Sequence, residues 1–311
     1  MSLFPPPRII ETTVLTEMPA ELRRPVVSEW SRANKRGQVV DSFIEGPCFD
    51  AQGNLFVTDI PHGRIFRIAS NGDWTMVADY DGEPNGLALH ADGRLFITDY
   101  KNGILALDPA TGRIEPVLTR CNSERFKGVN DLTFARNGDL YFTDQGQTGL
   151  HDPTGRVYRL RTNGQLDCLI QNGPSPNGLA LTPEEDVLFV AMTRDNAIWR
   201  VPLLPQGGTA KVHRFASFHG ATGPDGMAVD AEGNALVAHA GLGHVIILGH
   251  QGQMIAALKS CCGSFTTNVA FCPDGSGVVI TDSTTGTLLQ APWDIPGSHA
   301  SHPETTQDTA P

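Results

Sequence analysis

Charge and aromaticity are both scarce in this 311-residue chain, at 18% and 7% of residues. A disordered, solvating chain is excluded, since 40% hydrophobic residues suffice for a large buried core. Surplus positive charge is lacking too: the net charge is −11, which argues against nucleic acid as a partner, because phosphate binding needs a basic surface. No apolar run approaches the roughly 20 residues that span a bilayer. The opening MSLFPPPRII lacks the apolar core of a secretory signal, so a cytoplasmic protein without a membrane partner is expected. The six cysteines (48, 121, 168, 261, 262 and 272) show no CxxC spacing, which predicts reduced, mostly buried thiols. There is no GxSxG elbow, no GxxxxGK[ST] loop and no HExxH, and the GLG at 241–243 sits in a turn without the helix that dinucleotide binding requires.

What is present is a repeat. Glu45, Asn85, Asn130, Asn177, Asp225 and Asn268 follow one another at intervals of 40, 45, 47, 48 and 43 residues. After them come the short apolar segments LFVTD (55–59), LFITD (95–99), LYFTD (140–144), LFVAM (188–192), LVAHA (236–240) and VVITD (278–282). A fixed period of this size marks one supersecondary unit used as an array. Each copy reads as four strands: in the second, 85–90, 94–100, 103–108 and 113–119, with turns at ADG (91–93) and ATG (110–112). Four antiparallel strands per unit predict an all-β, six-bladed β-propeller over residues 38–293.

The last copy shows only three strands, at 268–272, 277–282 and 286–292. An N-terminal strand is expected to supply the fourth and close the ring. VVDSF (39–43) is the expected segment, because it precedes the first copy as MVADY (76–80) precedes the second. Residues 1–37, with six basic against four acidic side chains, form an extension that either lids one face or is a loose arm. Residues 294–311 are expected to be a disordered tail.

In a propeller, the residue opening each first strand points at the axis. Repeated Asn beside Gly also fits a purely structural turn. Glu45 and Asp225, however, put two carboxylates in the ring, and clustered carboxylates repel unless a cation compensates them. A hard divalent ion does so through carboxylate, amide and water oxygens. With no His or Cys in the ring, Ca²⁺ leads, with Mg²⁺ or Mn²⁺ behind and Zn²⁺ disfavoured. Asp131 stands where the other blades carry Gly46, Gly86, Gly178 and Gly226. It is a candidate second base or a loop anchor. The Thr-Asp pairs at 58–59, 98–99, 143–144 and 281–282 read as structural ties between strand ends and turns. Blades four and five lack the pair, and His239 in its place is either a substrate-contacting acid or base or a structural histidine.

The motifs IEGP (44–47), VND (129–131), SPNG (175–178) and GPDG (223–226), in that order on six blades, resemble the senescence marker protein/gluconolactonase family, which includes regucalcin-like and drug-responsive lactonases. By that resemblance Glu45, Asn177 and Asp225 are metal ligands, Asn130 contacts substrate or completes coordination, and Asp225 is the general base. The implied metal is commonly calcium, though zinc and others are tolerated, and the implied activity is hydrolysis of a lactone, the small-molecule partner. Asp131 is the alternative base, and the amides of Asn85, Asn130 and Asn268 would orient substrate hydroxyls. Two other readings stay open: an aryl-ester or organophosphate hydrolase on the same ring, and a non-catalytic binding propeller with a structural metal. Oligomeric state is not legible in the sequence.

Overall fold

The second strand of each blade explains the architecture. Leu55–Asp59, Leu95–Asp99 and Leu140–Asp144 are buried along their whole length. A strand projects alternate side chains to opposite faces, so a strand covered on both faces is apolar on both, here up to the buried Thr-Asp pair that ends it. In blade one, Phe56 packs with Leu87, Leu95 and Ile97 of the next blade, whereas Leu55 and Val57 pack with Val279 and Leu288 of the last. The hydrophobic core is therefore a set of interblade layers, one wherever two neighbouring sheets meet.

The computed structural model describes residues 4–220 and 222–298. Among these, the strands form six sheets of four or five members, with one small extra hairpin, Arg120–Cys121 against Glu124–Arg125, between blades two and three. The first strands are Ile44–Phe49, Pro84–Leu89, Val129–Phe134, Pro176–Leu181, Gly223–Val229 and Thr266–Phe271, and each runs antiparallel to the second strand of its own blade. This is the six-bladed propeller expected.

An N-terminal strand does close the ring, but it is Thr13–Glu17, not residues 39–43. Thr13–Glu17 pairs antiparallel with Thr287–Ala291, the last strand of blade six. The reason is geometric. A fourth strand lies three strand spacings from the first, about 14 Å. Blade one crosses that distance with residues 80–83, between Asp79 and Pro84. A strand ending at Phe43 would have no residue left before Ile44 begins the inner strand. Just upstream, Arg8–Glu11 adds a fifth, parallel strand to blade five along Met254–Lys259. The N-terminal segment thus staples blades five and six from outside.

From there the chain passes Met18, which is buried among Ile44, Leu55 and Leu288. It then climbs to the α-helix Glu29–Asn34, capped by Ser28, whose side chain accepts from Ser31 N at 3.1 Å. Trp30 of this helix packs on Phe43 and Ile60. Of the expected tail, residues 299–311 lie outside the described residues. Residues 294–298 are not loose: Ala231 N donates to Pro296 O, and Ser298 N donates to Val229 O, each within 2.9 Å. The cysteines are free, but they are not mostly buried as expected. Cys168, Cys261 and Cys262 are exposed and the other three are partly exposed.

Candidate active site

Every first strand is bulged at its start, with register breaks such as Glu45/Cys48, Pro84/Leu87, Val129/Leu132 and Pro224/Met227. A bulge bends the strand and re-aims one side chain, and the residue re-aimed here is the repeated polar one. Glu45, Asn85, Asn130, Asn177 and Asp225 consequently line one chamber of about 230 Å³ at the mouth of the channel. Asn268, the sixth, donates from Nδ2 to Glu45 Oε2 at 2.9 Å but lines a smaller cavity of about 120 Å³ on the other side of the ring.

The residue after each ring position explains the recurring glycine. Gly46 has φ +53°, and a Cβ there would lie 2.3 Å from Asn85 O. At Gly178 a Cβ would lie 2.4 Å from Asp225 O. Neighbouring blades come too close at the axis for a side chain. Asp131 occupies this inner row in blade three, and its carboxylate fills the space that a Cβ on Gly86 would need, at 2.4 Å. It faces the lower cavity, not the upper chamber.

The Thr-Asp pairs are tied to the ring more closely than a turn anchor implies. Thr58 Oγ1 donates to Asn85 O at 2.8 Å, Thr98 to Asn130 O at 2.5 Å, and Thr143 to Asn177 O at 2.8 Å, each gripping the ring residue of the next blade. The partner Asp holds the backbone two residues ahead of the ring residue in its own blade: Asp59 accepts from Phe43 N, Asp99 from Glu83 N and Asp144 from Gly128 N. Blade four lacks the pair, and Thr193 takes over the grip through Pro224 O at 2.8 Å. Thr143→Val leaves the Asn177 carbonyl without this donor in a buried setting. It is expected to lower unfolding free energy in urea by about 1–3 kcal/mol, with Thr143→Ser recovering most of the loss.

Burial raises several carboxyls, Glu83, Asp99 and Asp144 among them, and three of those raised belong to the ring or its inner row. Burial raises the Glu45 pKa, opposed by the Gly46 N–H and the Asn268 amide. Asp225 is held well above the ordinary carboxyl range by burial and then by the Glu45 charge, with a hydrogen bond from Asn177 acting the other way. Asp131 is likewise well raised, by burial and then by Glu45. Among the described residues no three His, Cys, Asp or Glu side chains form a metal-holding group. The ring presents instead two carboxylates with neutral amides. That donor set suits a hard cation bound through oxygen, and the mutual destabilisation of Glu45 and Asp225 is a charge deficit that such a cation relieves.

His239 does not reach the chamber. It is fully buried on the second strand of blade five, with Nε2 3.1 Å from Asn196 Oδ1 and its ring edge-on to Phe218. Burial pushes its pKa down. Several chamber residues carry no repeat signal: Trp30, Asn34 and Lys35 from the N-terminal segment, Phe43, Gln145, Arg194 and Phe265. Gln145 accepts from Asn130 Nδ2 at 3.0 Å, which orients that amide's oxygen. A side pocket of about 500 Å³, lined by Gln147, Leu150 and His151, shares Asn34, Gln145 and Arg194 with the chamber.

Residues 43–284 match the model of a family described as the SMP-30/gluconolactonase/LRE-like region. Lactonase drp35 of Staphylococcus epidermidis is 30% identical over 262 residues, covering 80% of this chain and 78% of that protein. Lactonase drp35 of Staphylococcus aureus is 30% identical over 255 residues, covering 77% and 75%. Among solved structures, a gluconolactonase from Xanthomonas campestris superposes with a TM-score of 0.73 at 24% identity, covering 91% of this chain and 99% of that one. The calcium-binding protein regucalcin from Agrobacterium tumefaciens does so with a TM-score of 0.73 at 22% identity, covering 94% and 96%. These two likenesses are of fold.

Proposed function

The chain belongs to the SMP-30/gluconolactonase/LRE-like family, and from that premise we propose that it is a metal-dependent lactonase acting on a sugar lactone or similar cyclic ester. The observation that carries this reading is the convergence of Glu45, Asn177 and Asp225 on one chamber, as two electrostatically strained carboxylates and an amide. Those three residues would hold a divalent ion, calcium first by donor chemistry, with Mg²⁺, Mn²⁺ or Zn²⁺ as substitutes. When bound, such an ion polarises the ester carbonyl and steadies the negative charge that develops on its oxygen.

The protein's own residues account for the remaining chemistry. Asp225 faces the chamber and takes a proton from the attacking water as the water oxygen bonds to the carbonyl carbon. The ring C–O bond then breaks, and the leaving alkoxide recovers a proton to give the hydroxy acid. Asp131 is less suited to this role, because it lines the cavity on the far side of the ring. Asn85 and Asn130 line the chamber and supply neutral donors and acceptors for ring hydroxyls. Asn268 acts through Glu45, whose carboxylate it holds. The drp35 proteins are named lactonases, which favours this reading over an aryl-ester hydrolase or a binding scaffold.

The direct test is hydrolysis of a panel of aldonolactones, lactones and aryl esters by chelator-treated protein, with Ca²⁺, Mg²⁺, Mn²⁺ or Zn²⁺ restored one at a time. Lactone turnover that returns with metal is expected. Metal binding without turnover of any lactone sinks the reading.

A pH effect follows from the raised carboxyls. A bound cation would restore the ionised Asp225 that acts as base. Without a cation, folded Glu45, Asp131 and Asp225 keep their protons to higher pH than the unfolded chain, which releases them from about pH 4 upward. Their contribution to stability is therefore fully present below that pH and is lost as pH rises through the elevated folded values. In chelator, Asp225→Asn is expected to flatten the pH dependence of the thermal midpoint across this window, and saturating Ca²⁺ to flatten it in the parent protein. Superimposable profiles for parent and variant in chelator would show that the strain is not at Asp225.

A further inference from the structure

The chamber has a cationic wall that the lactonase chemistry leaves unused. Lys35 follows the helix Glu29–Asn34 and is fixed to it, its N–H donating to Ser31 O at 2.8 Å. Its ammonium sits over three rings, 4.2 Å from the centroid of Phe265, 4.5 Å from Phe43 and 5.8 Å from Trp30. Trp30 and Phe43 are themselves in contact at 4.7 Å, and Phe43 meets Phe265 edge-on at 6.4 Å, so the cage is built rather than incidental. Aromatic faces hold a cation without neutralising it. Among the described residues no carboxylate forms an ion pair with Lys35, so its N–H donors remain available toward the chamber that it lines.

Arg194 lines the same chamber and the side pocket beside it. It too has no ion pair among the described residues, and the one polar contact of its guanidinium there is a long one of 3.4 Å to Thr222 O. The two cations lie near enough for Arg194 to press the Lys35 pKa down, alongside the larger effect of burial, while Asp225 pulls it the other way. Two like charges kept on one wall, with Asp225 and Glu45 committed to the ring floor, form a receptor for a negative group. A planar guanidinium and a caged ammonium suit a carboxylate or a phosphate.

We propose that Lys35 and Arg194 form a subsite for a carboxylate or phosphate borne by the substrate away from its reacting carbonyl, so that the preferred substrate is an anionic sugar lactone whose charged arm points toward the side pocket. The proposal rests on the lactonase reading for the reaction, but the subsite itself is testable apart from it. Lys35 comes from outside the repeat, so the substrate preference would be set by the N-terminal segment while the ring supplies the chemistry.

The test compares kcat/KM for glucono-1,5-lactone, its 6-phosphate and a glucarolactone, using the metal-loaded 311-residue chain. The variants are Lys35→Met, which keeps an apolar stem in the cage, Lys35→Arg and Arg194→Met. Calorimetric binding of the ring-opened acids, gluconate, 6-phosphogluconate and glucarate, provides a readout independent of turnover. At least a tenfold preference for a charged lactone is expected in the parent protein. Lys35→Met should cut that preference at least tenfold, Arg194→Met at least threefold, and Lys35→Arg should restore most of it. The better of the two charged probes identifies phosphate or carboxylate as the recognised group. Turnover of neutral lactones with no charged preference, or equal losses on neutral and charged lactones in Lys35→Met, overturns the subsite and leaves the lactonase reading standing. Binding of a charged acid that Lys35→Met abolishes, with no lactone hydrolysed, upholds the subsite and removes the lactonase reading.

Discussion

Asp225→Asn is expected to lower lactone turnover by about 10³-fold or more while leaving the propeller folded. The substitution preserves shape and one acceptor oxygen but removes the charge on which two proposed roles depend. The loss of a positioned proton acceptor alone costs about 10²–10⁴ in rate, and the same change takes away one of the two carboxylates in the ring chamber. Stability should move in the opposite direction in chelator. Burial and the Glu45 charge both oppose ionisation of Asp225, so an uncharged amide relieves repulsion and the midpoint rises. This pairing, with activity lost and apo stability gained, separates a functional carboxylate from a structural one. A structural carboxylate such as Asp59, which holds Arg64 Nε at 3.0 Å and Phe43 N at 2.8 Å in a fully buried pair, should lose stability on the same exchange, because it leaves a buried guanidinium without its counter-charge. Asp131→Asn is the internal comparison, expected to cost far less turnover because its carboxyl faces the opposite cavity. Retention of more than a tenth of parental turnover by Asp225→Asn would take the base away from this position.

Much of the ring was readable because rotational symmetry converts a sequence period into a shared height. The intervals between Glu45 and Asn268 sufficed to place five of six residues around one chamber. The Thr-Asp pairs were visible for the same reason, although their spacing within a blade concealed that Thr58, Thr98 and Thr143 reach the next blade, whereas Thr281 stays on Asn268 of its own blade and Ser283 makes the crossing to Ile44 O. Everything outside the period was opaque. Lys35 and Trp30 enter the chamber because Trp30 packs on Phe43 and Ile60, a tertiary choice with no local signature. Of the two readings of His239, the structural one agrees with its burial and its contact with Asn196. The second strand of blade five is buried on both faces, so the absence of a Thr-Asp pair there signalled different packing against Asn196 and Phe218, not a wall of the site.

Removal of residues 1–17 is expected to have the largest effect on stability of any change considered, and it decides how the ring is closed. Thr13–Glu17 and Arg8–Glu11 each pair at four positions, with Thr287–Ala291 and Met254–Lys259 respectively. At about 0.5–1 kcal/mol for each paired position, their loss amounts to roughly 4–8 kcal/mol. That is comparable with the whole net stability of about 5–15 kcal/mol typical of a folded domain. Two consecutive blades would also be left with open outer edges, which are templates for pairing with other chains. The truncated chain should therefore show a sharply lowered midpoint in thermal unfolding and rising light scattering before the transition. Removal of residues 1–7 keeps both paired strands and is expected to lower the midpoint far less than removal of residues 1–17. Closure by residues 39–43 predicts the contrary result: a chain lacking residues 1–17 would keep its ring sealed and its midpoint unchanged. Such an outcome would return Thr13–Glu17 to the status of a loose arm and require a different explanation for how Lys35 is delivered to the chamber.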